Sequence, residues 1–232
     1  MFWRYAERVE PILKKIYTRI VKPPVPNLKG DRDIEYSWVA ANIPNGPGEA
    51  IDFGCSVGWM GLLTARRGFK VTGIDLEPAL WHYEHSKLKF MKGNILKLSF
   101  PPDSFDLIIN CSTIEHVGLV GRYSETELCQ DGDLKAMEIF NSILKPAGIM
   151  LLTIPVGRDK AFSHLHRVYG EKRLPSLLQK WEILKKEYWT KGSDNKWVMA
   201  DESPALNKEA LEYCYGLGLF VLRKPQKGDI SC

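Results

Sequence analysis

The 232-residue sequence lacks the features that mark secreted, membrane-spanning and strongly charged proteins. Its five cysteines are scattered and form no C-x-x-C pair, which argues against a disulfide framework or a zinc ribbon and favours the reducing cytoplasm. No stretch approaches the roughly 20 apolar residues of a spanning helix, and the first residues contain no uninterrupted apolar segment typical of signal peptides. The net charge of +4 is milder than that of a dedicated nucleic-acid-binding domain. We therefore expect a soluble cytoplasmic protein.

Two common nucleotide-binding patterns are also missing. The P-loop pattern G-x-x-x-x-G-K-[ST], which cradles the phosphates of ATP and GTP, does not occur. The dinucleotide fingerprint G-x-G-x-x-G fails because Ser56 and Trp59 stand where its second and third glycines belong. A nicotinamide dinucleotide is therefore disfavoured as a ligand.

The chain after residue 48 alternates short apolar runs with segments of helical spacing, which predicts a Rossmann-like α/β fold with a doubly wound, mostly parallel sheet. Strands are predicted at 50–53, 70–75, 88–93, 105–112, 148–156, 181–189 and 217–224. Helices are predicted at 59–68, 78–85, 133–148 and around 170–180, the third of them ending in Lys-Pro-Ala-Gly.

The amino-terminal part has a different character. We expect helices and a linker over residues 1–45, packed on a core domain over 46–232. Residues 1–22 form an apolar helical stripe with six basic residues against two acidic ones. This segment is either a helix docked on the domain or a peripheral membrane contact. A further helix, capped by Asp31, is predicted from that residue onward.

The most informative segment runs from residue 50 to residue 78. A predicted strand ends at Asp52, a turn contains Gly54, Ser56 and Gly58, and a second strand ends at Asp75. Glycines let the backbone approach a ligand closely, and an acid at the end of the second strand can accept the hydroxyls of a ribose. These residues predict an adenosine-containing ligand at the carboxyl ends of the strands.

This segment resembles the first motif of the class I S-adenosylmethionine-dependent methyltransferases. DFGCSVG is similar to their D-x-G-x-G-x-G, GIDLEP to the ribose-binding acid, SFDLIINCSTIEHV to the fourth-strand motif and LKPAGIMLLTIP to the fifth-strand motif. The resemblance implies seven strands with an antiparallel carboxy-terminal hairpin, S-adenosylmethionine as cofactor and S-adenosylhomocysteine as product. It implies these cofactor-binding residues: Asp52, Gly54, Cys55, Ser56, Gly58, Asp75, Leu76, Asn94, Ile95, Asn110 and Ser112.

A second resemblance concerns the acceptor. STIEHVGLVGRY, DGDLKAM and HRVYG are similar to segments of a little-characterised methyltransferase-like group associated with polysaccharide and other glycan genes. This implies O- or N-methylation of a small polar acceptor, a sugar or glycan intermediate. An RNA methyltransferase and a non-catalytic S-adenosylmethionine-binding module remain as alternatives, although no N-P-P-[YF] pattern for a flipped base follows the fourth strand.

Histidine is the side chain whose pKa suits a base near neutral pH, and His116 follows the fourth strand on the ligand side of such a sheet. We predict His116 as the base or as the group that orients the acceptor, and His166 as a further catalytic residue. Glu115 is predicted either to bind the acceptor or to fix the tautomer of His116. His164, Arg167 and Tyr169 are predicted to bind the acceptor. Residues 158–197 hold ten basic and five acidic residues, which favours an acidic acceptor.

A metal site is not predicted. Glu115, Asp131 and Asp133 could supply oxygen ligands to Mg²⁺, but they lie in segments whose proximity the sequence does not define. For Asp131 and Asp133 we expect instead that they cap the helix starting at Leu134.

Overall fold

The computed structural model describes residues 25–121, 123 and 127–226. The predicted helix over residues 1–22, and with it the predicted membrane contact, lies outside the described residues. Among the helices that are described, none has both the length and the apolar character needed to cross a membrane.

The core of the protein is an eight-stranded sheet. Its strands are β1 (Gly48–Phe53), β2 (Phe69–Asp75), β3 (Leu88–Lys92), β4 (Phe105–Cys111), β5 (Leu144–Val156), β8 (Glu182–Lys191), β9 (Trp197–Ala200) and β10 (Gly216–Arg223). Their order across the sheet is β3-β2-β1-β4-β5-β10-β8-β9. Strands β1 to β5 run parallel, while β10 pairs antiparallel with both β5 and β8. The predicted Rossmann-like class, with antiparallel carboxy-terminal strands, is confirmed. Strand β9 adds an eighth strand that the sequence did not predict.

Helices cover both faces of the sheet, because the central strands are apolar on both sides. The helices are α1 (Asp31–Asn42), α2 (Met60–Arg66), α3 (Gly132–Ile143), α4 (Arg173–Leu178) and α5 (Glu202–Leu206). On one face Trp38 and Val39 of α1 pack with Met60 of α2, and on the other face Met137 and Phe140 of α3 join the larger core. This layering leaves the carboxyl ends of β1, β2 and β4 open to a ligand.

A small hairpin stands beside the sheet. Strands β6 (Lys160–Phe162) and β7 (His166–Val168) pair antiparallel with each other. Tyr169, directly after β7, donates its N–H to Pro155 of β5 at 3.0 Å and accepts the N–H of Gly157 at 3.1 Å. The hairpin is therefore fixed to the end of the fifth strand.

Three local predictions are wrong. Residues 78–85 form no helix, because Trp81 donates to the carbonyl of Ser56 and Tyr83 to that of Gly58, so both side chains are used by the glycine turn. The helix α3 ends at Ile143, and the Lys-Pro-Ala-Gly segment lies in β5. Asp31 does not cap α1, since Gly30 holds the cap position with a left-handed φ of 91°.

Candidate functional site

A cavity of about 340 Å³ lies at the carboxyl ends of β1, β2 and β4. It is lined by Arg32, Tyr36, Phe53, Gly54, Cys55, Ser56, Asp75, Leu76, Glu77, Gly93, Asn94, Ile95, Cys111, Ser112, Thr113, His116, Val117, Gly118, Leu119 and Tyr123. Eight of the eleven predicted cofactor-binding residues are among them: Gly54, Cys55, Ser56, Asp75, Leu76, Asn94, Ile95 and Ser112.

The turn after β1 requires glycine at its first position. Gly54 has a φ of +72°, and a Cβ built on it would lie 2.1 Å from the hydroxyl oxygen of Thr113. The backbone of this turn therefore packs directly against the segment that follows β4, which only a residue without a side chain permits. This close approach brings the turn after β1 and the residues after β4 to the same cavity.

The side chains of Asp75 and Asn94 are held in place by hydrogen bonds from main-chain N–H groups. The carboxylate of Asp75 accepts the N–H of Ser56 at 2.9 Å and that of Glu77 at 3.0 Å. Each carboxylate oxygen has a second lone pair with which it can accept a ligand hydroxyl. Asn94 accepts the N–H of Leu96 at 2.9 Å through its side-chain oxygen. The geometry fits a ribose and an adenine edge at this end of the cavity.

Three predicted cofactor residues do not line the cavity. Asp52 is buried and accepts the N–H of Gly61, and burial raises its pKa to about 7. The N–H of Gly58 donates to the carbonyl of Cys55 at 2.8 Å. Asn110, fully buried, accepts the N–H of Ile114 at 3.2 Å. The hydrogen bonds of these three residues shape the turn and the segment after β4, which are the supports of the cavity wall.

Helix α1 contributes cavity residues that sequence reasoning missed. Arg32 and Tyr36 line the cavity, and Glu35 lies between them, fully buried. Arg32 donates to Glu35 at 2.8 Å and keeps 49% of its side chain exposed. Ser112 and Thr153 also donate their hydroxyls to Glu35. The cluster presents a guanidinium to the cavity, which can bind an anionic group.

The position of Glu35 on the apolar face of α1 is the sequence feature that indicates the cluster of Arg32, Glu35, Ser112 and Thr153. Glu35 lies three and four residues before Trp38 and Val39, which are buried on the face of α1 that packs on the sheet. A carboxylate on the apolar face of a helix needs a buried partner. Burial raises the pKa of Glu35, while the neighbouring Arg32 opposes this rise.

His116 lines the cavity as predicted from its position after β4. It ends a short 3₁₀ helix, Ile114–His116, and its Nδ1 contacts the carbonyl oxygen of Leu165. A carbonyl only accepts hydrogen bonds, so Nδ1 carries the proton and Nε2 holds the lone pair in the neutral ring. Glu115 is buried, and its carboxylate lies 3.7 Å from Nε2. The pair can take up a proton and stabilise the resulting imidazolium.

The residues predicted to bind the acceptor do not line the cavity. Arg167 is buried and bonds to main-chain carbonyls, while Tyr169 is fully buried and donates its hydroxyl to Asp133 at 3.1 Å. His164 is exposed beside Ser163. His166 is buried, with its ring 5.0 Å from that of Tyr215 and 6.3 Å from that of His116. None of these four side chains lines the cavity, because His166, Arg167 and Tyr169 are turned into the core and His164 faces the outer surface.

Asp131 and Asp133 are not side-chain caps of α3. The helix begins at Gly132 with Asp131 at the cap position, but neither carboxylate bonds to a free helix N–H. Asp133 is fully buried and accepts from Arg173 at 2.6 and 2.9 Å. Over the described ranges, no three His, Cys, Asp or Glu side chains are grouped so that they could hold a metal ion.

Comparisons with solved structures define the class of the fold. The chain is similar to the 1,6-didemethyltoxoflavin-N1-methyltransferase of Burkholderia thailandensis, solved with S-adenosylhomocysteine, at a TM-score of 0.58 and 14% identity over 85% of this chain and 79% of that one. It is also similar to the [4+2]-cyclase SpnF, at a TM-score of 0.55 and 16% identity over 89% and 85% of the two chains. The protein therefore has the fold of the S-adenosylmethionine-dependent methyltransferases, a fold that also includes a cyclase.

Sequence comparisons define the family. Residues 95–224, more than half of the chain, match the family described as "Caenorhabditis protein of unknown function, DUF268", and the protein belongs to it. A stretch of 124 residues is 25% identical to "Putative methyltransferase YqeM" of Bacillus subtilis (strain 168), covering 50% of this chain and 46% of that protein. The chain thus spans about half the length of the curated relative that it matches.

Proposed function

We propose that this protein transfers a methyl group from S-adenosylmethionine to a small polar acceptor, a sugar or glycan intermediate. The observation that carries the proposal is one cavity lined by the glycine turn, by Asp75 and Asn94, and by His116. The first three match the ligand residues expected for the cofactor, and His116 offers a base in the same cavity. The bound product of the Burkholderia relative is consistent with this assignment.

The residues of the cavity divide into two groups. Asp75 would hold the ribose hydroxyls, Asn94 the adenine edge, and Gly54 the backbone approach to the cofactor. Arg32, fixed by Glu35 at 2.8 Å, would hold a carboxylate of the bound cofactor. When bound, S-adenosylmethionine supplies a methyl group on a positively charged sulfur, which reacts by in-line displacement. The protein's part is to align the acceptor and exclude water.

His116 gives the site its preference for an acceptor that must lose a proton. Its Nδ1 is committed to the carbonyl of Leu165, so Nε2 receives the proton from the acceptor. The carboxylate of Glu115 at 3.7 Å stabilises the imidazolium that forms. A hydroxyl needs such a base, whereas a neutral amine needs only positioning. This chemistry supports a sugar hydroxyl over an amine as acceptor.

Helix α1 lies over the cavity as part of the amino-terminal unit that we assign to residues 1–45. Arg32 and Tyr36 come from this unit, while the other cavity-lining residues come from 46–232. This arrangement supports a division of labour in which the amino-terminal unit completes the cofactor site and the core domain supplies the base.

Calorimetry tests the cofactor. We expect S-adenosylhomocysteine to bind the wild-type protein and Asp75→Ala to lose roughly 10- to 100-fold in affinity, because charge-assisted hydrogen bonds of about 1.5–3 kcal/mol are removed. Asp194→Ala, in an exposed turn, is the matched control and should bind like the wild type. Undetectable binding to the wild type, or equal binding by Asp75→Ala, contradicts the cofactor assignment.

A methyl-transfer screen separates the competing functions. Sugar nucleotides, small acids and a mixed RNA pool are offered with labelled S-adenosylmethionine, and label in a sugar is the expected outcome. Label in RNA supports the alternative of an RNA methyltransferase. Cofactor binding without transfer to any of these acceptor classes supports a non-catalytic module or another reaction on the same fold, as the cyclase relative illustrates.

The base is tested with the acceptor found in that screen. His116→Ala should lower kcat by roughly 100- to 10,000-fold without changing the affinity for S-adenosylhomocysteine, since a positioned base contributes that factor. Full turnover by His116→Ala removes His116 from this role.

A further inference from the structure

We propose that Arg167 is a positioning residue for His116, and that the β6–β7 hairpin sets the orientation and the tautomer of the imidazole. The proposal deepens the proposed function, since it concerns the base of the same site. It assigns to Arg167 a role different from acceptor binding, based on the groups that its guanidinium contacts.

The first link is the contact between the hairpin and the imidazole. Leu165 lies in the turn between β6 and β7, and its N–H donates to the carbonyl of Phe162 at 2.7 Å. Its own carbonyl accepts from Nδ1 of His116. The hairpin turn thereby selects the tautomer with the proton on Nδ1, which leaves the lone pair on Nε2.

The second link is a set of four hydrogen bonds from Arg167. Its guanidinium donates to the carbonyls of Glu115 at 3.3 Å and Val117 at 2.8 Å, the two neighbours of His116 in the chain. It also donates to Cys129 at 3.3 Å and Gln130 at 2.9 Å. Both chain neighbours of the imidazole are therefore fixed to the hairpin that contacts its Nδ1.

The two stretches of backbone that Arg167 contacts, around Gly118 and around Cys129, also contact each other. The N–H of Cys129 donates to the carbonyl of Gly118 at 2.9 Å, and a Cβ on Gly118 would lie 2.3 Å from the carbonyl of Cys129. The two carbonyl pairs that Arg167 contacts thus lie side by side. Only a planar, forked cation reaches all four, and an ammonium on a lysine stem does not.

The charge of Arg167 is balanced within the core. Its Nε lies 3.7 Å from the carboxylate of Asp133, which is fully buried. Asp133 is in turn fixed by Arg173 and by the hydroxyl of Tyr169. Tyr169 continues from β7 and pairs with β5 through Pro155 and Gly157. Hydrogen bonds and the ion pair between Asp133 and Arg167 therefore join the main sheet to the two chain neighbours of the residue that we propose as the base.

The experiment compares Arg167→Lys with Arg223→Lys. Arg223 forms a two-bond ion pair with Glu182 at 2.7 Å between β10 and β8, so its variant makes the same chemical change away from the cavity. The imidazole is observed by two-bond ¹H–¹⁵N correlation spectra, with its signals assigned by their loss in His116→Asn.

In the wild type we expect His116 in the neutral ring to carry its proton on Nδ1. Arg167→Lys should show a mixture of both tautomers, while Arg223→Lys keeps the wild-type spectrum. A wild-type ring protonated on Nε2, or an unchanged tautomer in a folded Arg167→Lys, overturns the proposal. If Arg167→Lys does not fold, the tautomer of His116 in the wild-type spectrum still tests the proposal.

Turnover provides the second measurement. Arg167→Lys should lower kcat by roughly 10- to 100-fold with the affinity for S-adenosylhomocysteine unchanged, because a displacement of about 1 Å at the base has that effect. In a His116→Ala background the same substitution should cause no further loss. An additive loss overturns the proposal. Absence of methyl transfer in the wild type, with the tautomer result intact, contradicts the proposed function alone.

Discussion

Arg32 beside the buried Glu35 and Arg167 beside the buried Asp133, which also binds Arg173, differ in their access to solvent. Glu35 holds Arg32, whose side chain is 49% exposed and lines the cavity. Asp133 lies beside Arg167, whose side chain is 4% exposed and whose guanidinium reaches only main-chain carbonyls and this carboxylate among the contacts described. From this comparison we infer that a guanidinium fixed by a buried acid is available to a ligand only where it keeps an open face. The buried Arg167 contacts the backbone instead.

The largest loss of stability is expected for the carboxylate beside the buried arginine, Asp133. Asp133→Asn leaves two arginines without their carboxylate, and one of them, Arg167, has only 4% of its side chain exposed. Breaking a buried ion pair in this way costs about 3–5 kcal/mol of unfolding free energy. Urea denaturation measures the loss, with Asp131→Asn, an exposed partner of Arg173, as the control at about 1 kcal/mol or less. If Asp133→Asn also lost only about 1 kcal/mol of unfolding free energy, the proposed difference between the Asp133–Arg167 pair and the Glu35–Arg32 pair would be contradicted.

A third buried carboxylate, Asp52, provides a reference for an acid stabilised by a backbone N–H. Burial raises its pKa from 3.8 to about 7. Because the folded state holds this proton more tightly than the unfolded state, the contribution to stability is full below about pH 4 and is lost as the pH rises through about 7. We expect it to amount to about 2–4 kcal/mol over that range, and to vanish in Asp52→Asn. Denaturation in urea at several pH values measures how the unfolding free energy changes with pH in the wild type and in Asp52→Asn. The same pH dependence in both proteins contradicts the prediction.

For Glu35, the carboxylate beside the exposed Arg32, the expected loss of stability is smaller. Glu35→Gln keeps an oxygen for the hydroxyls of Ser112 and Thr153, and Arg32 can turn towards water. We therefore expect a loss of about 1–3 kcal/mol, less than that of Asp133→Asn. Thermal and urea unfolding of the two variants side by side measure the difference. A greater loss for Glu35→Gln would reverse the comparison.

The smallest effect concerns ligand affinity. Arg32→Ala should weaken binding of S-adenosylhomocysteine by about tenfold, which equals about 1.4 kcal/mol, if its open face binds the carboxylate. 5′-Methylthioadenosine has no carboxylate, so its affinity should not change. Calorimetry with both ligands makes the test, and an equal loss for both would show that Arg32 acts on the shape of the cavity.

The cofactor half of the cavity could be predicted because its residues are local to single turns. Gly54, Asp75 and Asn94 each lie at or just after the end of a strand, and the parallel sheet brings strand ends together. The mostly parallel sheet followed from the alternation of elements, and its antiparallel end followed from the resemblance. These are properties that a sequence pattern expresses directly.

The contacts of Arg167 and Glu35 could not be predicted because they connect segments that are distant in the sequence. Arg167 bonds to carbonyls up to 52 positions away, and Glu35 accepts from Thr153 across 118 positions. The false helix at 78–85 has the same origin, since Trp81 and Tyr83 bond to the glycine turn 25 positions earlier. Local propensity is overridden where side chains find such partners.

The place of β10 in the sheet has a consequence for biosynthesis. This strand, Gly216–Arg223, is inserted between β5 and β8, although it is the last of the described strands to be translated. While the ribosome is still making it, β5 and β8 each expose an unpaired edge that can pair with other chains. The sheet can therefore be completed only after β10 has been translated. A chain that ends before residue 216 should depend on chaperones and aggregate when they are limiting.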